Sequence, residues 1–209
     1  MMPMTLNDKS LAAAAQSLAA CDAKLAFSLA KYGVPPLWER APEFATLVHI
    51  ILEQQVSLAS ARAAFTNLRQ YLGAVTPESF LTLDDITLKS IGFSRQKTRY
   101  SRLLAEALAA EEFDLRSLER LPDDAVRAAL TRFTGIGEWT ANIYLLMALL
   151  RPDVWPKGDL ALAVAWQDLQ GASERPTPGE LEKHAANWQP YRSVAARLLW
   201  HHYLKRGAL

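Results

Sequence analysis

"LTRFTGIGEWTANIYLL", residues 130–146, decides how the rest of the chain is read. Helical patterns lie on both sides of Gly135-Ile136-Gly137. Two glycines this close let the backbone take φ > 0 and let another backbone approach closely. From residue 138 a new helix should start, and its first N–H groups have no partner inside that helix. Those donors and the helix dipole suit an anion. The same residues also fit a tight connector in which glycine serves sterics alone. The two glycines do not separate these readings. Beyond the turn, Ile143 to Leu150 is apolar all round, which predicts a helix through the middle of the fold.

Outward from the turn, helix signals dominate. Lys9 to Gly33 reads as one alanine- and leucine-rich helix stopped by Gly33. Residues 43–73 read as two helices, with the break near Val56-Ser57, Ser57 as the cap of the second and Gly73 as its end. Pro77 and Thr87 occupy helix-start positions, and Pro122 sits in a first turn beside two acids. Asp159 precedes the apolar run "LALAVAW" and reads as an N-cap. No sustained apolar/polar alternation and no Asn-Gly or Asp-Gly hairpin is present. The pattern predicts an all-α protein of about ten helices.

The 209 residues are half apolar, enough to bury a core in one domain. Charge is nearly balanced, with 23 Lys+Arg against 22 Asp+Glu, so global charge does not mark a nucleic-acid binder. Local charge does more. Lys89 to Arg102 holds five basic residues and no acid, and Lys183 to the end holds five more with three histidines and no acid. Two basic strips fit an anionic partner, or two solvated helix faces. The single cysteine, Cys21, excludes an internal disulfide and a cysteine-held zinc or iron–sulfur cluster. The longest apolar run is far shorter than the ~20 residues of a membrane span, and the N-terminus does not read as a signal peptide. The expectation is a cytoplasmic protein. None of the four histidines has metal-ligand company. His49 is expected at least half-buried, and His184, His201 and His202 at the surface.

Several segments together carry a resemblance. Leu130 to Ala141 resembles the helix-hairpin-helix motif that grips DNA backbone phosphates. "VWPKGDLAL" follows, with Pro156, Gly158 and Asp159. "ILEQQVSLASA" (51–61), "GFSRQKTRYSRLLAEAL" around Lys97 and "NWQPYRSVAARLLW" (187–200) complete the set in order. Over residues 25–205 the chain resembles the helix-hairpin-helix, Gly/Pro-loop, Asp superfamily of DNA glycosylases, in its 3-methyladenine glycosylase II-like branch. One departure is that Thr134 stands where the family's hairpin usually has proline.

The resemblance implies a two-lobed helical fold with a cleft between the lobes. One lobe would hold the terminal helices, about 1–40 and 150–209. A central lobe with the hairpin would hold about 41–149. Asp159 matches the catalytic aspartate. A fixed anion beside the sugar stabilises an oxocarbenium-like transition state and can direct water. Trp139 stands where strand-nicking relatives carry a Schiff-base lysine, so the resemblance implies hydrolysis without nicking. The damaged base would be flipped into an aromatic pocket. Trp139 and Trp188 match pocket positions, with Trp38 and Tyr144 as further candidates, while the family's pocket tyrosine falls at Ile143. Gly135, Ile136, Gly137 and Thr140, with the Trp139 amide, would hold the DNA backbone. Gln54 and Gln55 fall where the family places the wedge that fills the gap left by the flipped nucleotide. No cofactor is expected beyond a monovalent cation on hairpin carbonyls, and no iron–sulfur cluster. The expected partner is double-stranded DNA with a damaged base, bound by a monomer associated with a bacterial nucleoid. Alternatives left open are a glycosylase for uracil, hypoxanthine or ethenoadenine, a non-catalytic DNA-binding module, and a helical scaffold.

Overall fold

A computed structural model describes residues 3–206. The described chain forms α1 (Asp8–Cys21), α2 (Ala23–Tyr32), α3 (Phe44–Glu53), α4 (Leu58–Leu72), α5 (Pro77–Leu81), α6 (Asp85–Ile91), α7 (Arg95–Ala109), α8 (Asp123–Thr131), α9 (Glu138–Met147), α10 (Leu160–Gln170), α11 (Pro178–Ala185) and α12 (Arg192–Lys205). Two 3-10 turns, Leu115–Arg120 and Ala186–Trp188, lie before α8 and α12. No strand occurs among the described residues, so the fold is all-α. None of the described helices is long and apolar enough to cross a membrane.

Local chemistry sets most of these boundaries. Ser57 caps α4 by accepting from the Ser60 amide, and Gly33 and Gly73 end α2 and α4 with φ of 79° and 70°. The single helix expected from Lys9 to Gly33 is instead two. Asp22 breaks it by accepting from the Lys24 and Leu25 amides, so its carboxylate starts a second helix rather than continuing the first. Near Thr87 the start lies at Asp84, whose side chain takes the Thr87 amide. Pro122 is the N-cap of α8 rather than its first turn.

The chain divides into two compact units, Arg40–Tyr144 and Met4–Glu39 with residues 145–206. In the first, α7 packs on α3, α5 and α6, and α4 packs on α3 and α6. Phe44, Phe80 and Phe93 run through its core with successive ring centroids 5.7 and 5.8 Å apart. In the second, α12 is the hub, packed on α1, α2 and α10. Ser193 through His202 are all buried. His201 and His202 are therefore core residues, contrary to the expectation of a surface position. Each carries one ring nitrogen without a hydrogen-bond partner, and Tyr32 packs against both rings. The apolar helix is buried as expected, but α9 stops at Met147 and the backbone turns left-handed at Leu150. The boundary between the two units falls inside α9, after Tyr144.

Candidate active site

Asp159 belongs to the unit formed by the terminal helices. Three features position it. First, the preceding loop is pinned to the start of α12. Arg192 grips Asp153 through Nε on Oδ1 (2.8 Å) and Nη2 on Oδ2 (2.9 Å). Ser193 Oγ accepts from the Val154 amide at 2.9 Å. Second, Gly158 turns the chain with φ of 81°. Third, Asp159 caps α10, its Oδ1 accepting from the Leu162 amide at 3.0 Å. A carboxylate at a helix start also meets the positive end of the dipole.

The same Oδ1 takes a second bond, from Trp200 Nε1 at 3.1 Å. Trp200 was not among the expected pocket residues. It ends the "NWQPYRSVAARLLW" segment and lies seven residues after Ser193, which places both on one face of α12. That face holds the loop at Val154 and meets Asp159. Trp38 stands edge-on to Trp200, with centroids 6.4 Å apart. Its backbone is left-handed, φ 49°, a conformation that bulky residues avoid.

Trp188 is elsewhere. It is buried, packs on Trp155 and Trp166, and donates Nε1 to Asp22 at 2.9 Å. This corrects its assignment to the pocket: the ring is a wall of the terminal unit's own core. Burial tends to raise the Asp22 carboxyl, but the bonds it accepts from Trp188, from the Leu25 and Lys24 amides and from His184 hold it below the usual carboxylate range. The Asp159 loop also lines a cavity of about 310 Å³ with Trp155, Pro156, Arg175 and Leu181. Neither Trp38 nor Trp200 lines it, so the aromatic pair and this hollow are different surfaces.

The glycine turn belongs to the other unit. Gly135 and Gly137 serve different ends. Gly135 has φ of 93°, and a Cβ there would fall 2.0 Å from the Tyr100 ring. It is glycine because α7 packs its tyrosine against the turn. Gly137 has no positive φ, and a Cβ there would meet nothing within 4 Å. The expectation that both glycines supply φ > 0 thus holds for Gly135 alone, and the chain's own packing does not require glycine at 137.

The amide donors are also fewer than expected. Ile136 is buried and its N–H donates to the Phe133 carbonyl. Thr140 is buried, with Oγ1 accepting from Gln54 Nε2 at 3.0 Å. Both are corrected from DNA contacts to internal parts of the turn. Among the described residues the N–H groups of Gly135 and Gly137 have no acceptor. Trp139 is half-buried on the first turn of α9. Tyr144 is fully buried and lines no open surface, which removes it from the pocket. Its hydroxyl has no hydrogen-bond partner, and burial, with the charges of Glu119 and Glu43, raises its pKa far above normal.

The two glutamines separate as well. Gln54 Nε2 also bonds the Gly135 carbonyl at 2.9 Å, so it braces the turn. It is no longer a wedge candidate. Gln55 is exposed with φ of 56°, flanked by exposed Val56. Lys97 Nζ bonds the Leu52 carbonyl at 2.7 Å and so ties α7 to the end of α3, just before this bend. Both basic strips are only partly surface. In the first, Arg95 and Arg99 are exposed, while Arg102 bonds Asp85. In the second, Lys183, Lys205 and Arg206 are exposed, while Arg192 is paired and Arg197 is buried.

No cluster that could hold a metal through His, Cys, Asp or Glu occurs among the described residues. The Phe133, Gly135 and Gly137 carbonyls each accept one hydrogen bond already. Each carbonyl has a second lone pair, so a monovalent cation fits the turn only as an additional partner.

Residues 48–190 match the HhH-GPD superfamily of base excision DNA repair proteins. The chain belongs to that superfamily. Among HhH-GPD relatives, it is 27% identical over 202 residues to the alkylbase DNA glycosidase-like protein mag2 of Schizosaccharomyces pombe, covering 93% of this chain and 94% of that one. It is 28% identical to DNA-3-methyladenine glycosylase 1 of the same organism, over 78% of this chain and 73% of the relative. The S. pombe 3-methyladenine DNA glycosylase Mag1, solved with abasic DNA, superposes with a TM-score of 0.83 at 26% identity, covering 94% of this chain and 97% of that one.

Proposed function

We propose that this chain is a monofunctional DNA glycosylase that releases alkylated purines of the 3-methyladenine and 7-methylguanine type. The observation that carries the reading is Asp159: a carboxylate fixed by the Leu162 amide and the Trp200 indole, on the Gly158 turn of an HhH-GPD chain. The names of relatives that span most of the chain support the substrate class.

Breaking the glycosidic bond puts positive charge on the sugar, and Asp159 supplies the opposing fixed charge. It also orients the attacking water. A ring-alkylated base is already cationic and leaves neutral, so protonation by a second carboxylic acid is not required. Trp38 and Trp200 offer indole surface for a cationic base, worth roughly 0.5–2 kcal/mol per ring. Gln55 fills the vacated stack, and the Gly135 and Gly137 amides bind a backbone phosphate of double-stranded DNA. With tryptophan at 139, no amine stands there to form a Schiff base. The protein acts as a monomer without a redox or iron–sulfur cofactor.

The test is incubation with methylated duplex DNA. Free methylated purine should appear, and the strand should break only after alkali. Strand breaks without alkali would overturn the hydrolytic reading. No base release from any alkylated duplex would overturn the substrate class.

A further inference from the structure

Arg197 is a fully buried cation within α12. It is 0% exposed, and among the described residues no carboxylate pairs with it. Nε donates to the Leu37 carbonyl (3.0 Å), Nη1 to the Ser193 carbonyl (3.2 Å) and Nη2 to the Leu146 carbonyl (2.6 Å). Burying a charge against neutral carbonyls is costly, and that burial lowers its pKa to about 10. A packed aliphatic residue would serve a core more cheaply.

The three bonds are not equivalent. Those to Ser193 and Leu146 lie on helices. The bond to Leu37 reaches the proline-containing connector between α2 and α3, one residue before Trp38. Trp38 is the residue with φ of 49°, a backbone state that must be held from outside. Its ring meets the edges of Trp200 and His201. Ser193, Arg197 and Trp200 are spaced i, i+4, i+7, one face of α12. That face fixes the loop before Asp159, the connector before Trp38, and Asp159 itself.

We infer that Arg197 is a positioning residue for base release: through the Leu37 carbonyl it holds Trp38 in its left-handed conformation, so that the Trp38 ring stays against the Trp200–Asp159 pair. The inference rests on the assignment of Asp159 as the catalytic group. Lysine at 197 keeps the charge but cannot reach three carbonyls in a planar fork. Arg197→Lys frees Trp38 to relax.

Single-turnover base release from methylated duplex DNA, affinity for an abasic duplex and thermal unfolding test this together. Arg197→Lys should slow release about 10- to 100-fold while changing affinity less than about threefold. Trp38→Ala should slow it similarly. The double variant should be no slower than the worse single, because both remove the same placement. Multiplicative losses in the double variant, or a folded Arg197→Lys protein with wild-type release, would overturn the inference. If Arg197→Lys does not fold, Trp38→Gly decides. Trp38→Gly and Trp38→Ala both lose the ring, so Trp38→Gly should melt above Trp38→Ala while release falls in both, and a Trp38→Gly protein that melts no higher than Trp38→Ala would count against the clamp. Asp159→Asn serves as the control: wild-type release in that variant removes the underlying assignment, whereas an inactive Asp159→Asn beside a fully active Arg197→Lys removes this inference alone.

Discussion

α9 and α10 both begin after a glycine, and their first turns are completed in opposite ways. The N-cap of α9 is Gly137, which has no side chain to offer and faces open space. The N-cap of α10 is Asp159, whose Oδ1 takes the Leu162 amide. A helix start is a positive pole in either case. At α9 position 137 supplies no capping side chain, and an anion from elsewhere could approach the Gly135 and Gly137 amides. At α10 the chain supplies its own anion and fixes it at the helix start. On the proposed function, binding and chemistry would draw on one physical device with the charge provided from different sides.

The largest test of this contrast is Asp159→Asn. Asparagine caps a helix about as well as aspartate, so stability should change by less than about 0.5 kcal/mol. Base release should fall about 10²–10³-fold, the scale of losing a preorganised electrostatic group. Unchanged release would show the carboxylate to be a cap and nothing more. Next come the glycines. Gly137→Val should weaken binding to any duplex sequence about 10- to 100-fold by covering the amides, with stability lowered by no more than about 1 kcal/mol because valine caps a helix less well than glycine. Gly135→Ala should do the reverse first, costing about 2 kcal/mol or more of stability through its φ and the Tyr100 clash. Equal melting temperatures for the two variants would erase the distinction between them. The glutamines sharpen it further. Gln55→Ala should reduce release from duplex DNA about tenfold and leave single-stranded substrate nearly unaffected, because only the duplex must be held open. Gln54→Ala should lower thermal stability by about 1 kcal/mol as the bonds to Gly135 and Thr140 go. The tryptophans give the smallest effects. Trp200→Phe removes one hydrogen bond to Asp159, worth about 1 kcal/mol, or roughly a fivefold slower release. Trp188→Phe should leave release unchanged and reduce stability. Because the folded Asp22 carboxyl is held low, its contribution is present above its unfolded pKa and fades as pH falls through the folded value. Trp188→Phe should shrink that contribution, visible as a smaller stability difference between neutral and acid pH.

Much of the fold could be read from single residues. Ser57, Gly33, Gly73 and Asp159 act where local capping rules place them. What could not be read follows from tertiary partners. Asp22 looks like a surface acid inside a helix until its role as cap and as acceptor for Trp188 is known. α12 carries arginine and two histidines and reads as a solvated end, yet it is the buried hub, because carbonyls and Asp168 meet those polar groups. The segment from Trp188 to Trp200 offers two indoles. Only their placement, one before α12 and one on the face shared with Ser193, tells which meets Asp159. The roles of Gly135 and Gly137 differ for the same reason: a side chain 35 residues upstream, Tyr100, occupies the space beside one and not the other.

That close approach of Tyr100 to Gly135 bears on any attempt to transplant the glycine bend. The bend is moulded against an aromatic ring from another helix, with Gln54 clasping it from a second. Grafted as a short peptide onto a foreign scaffold, it would lack its mould and lose the shape that aims its amides. A working graft must carry α3, α7 and the hairpin as one block.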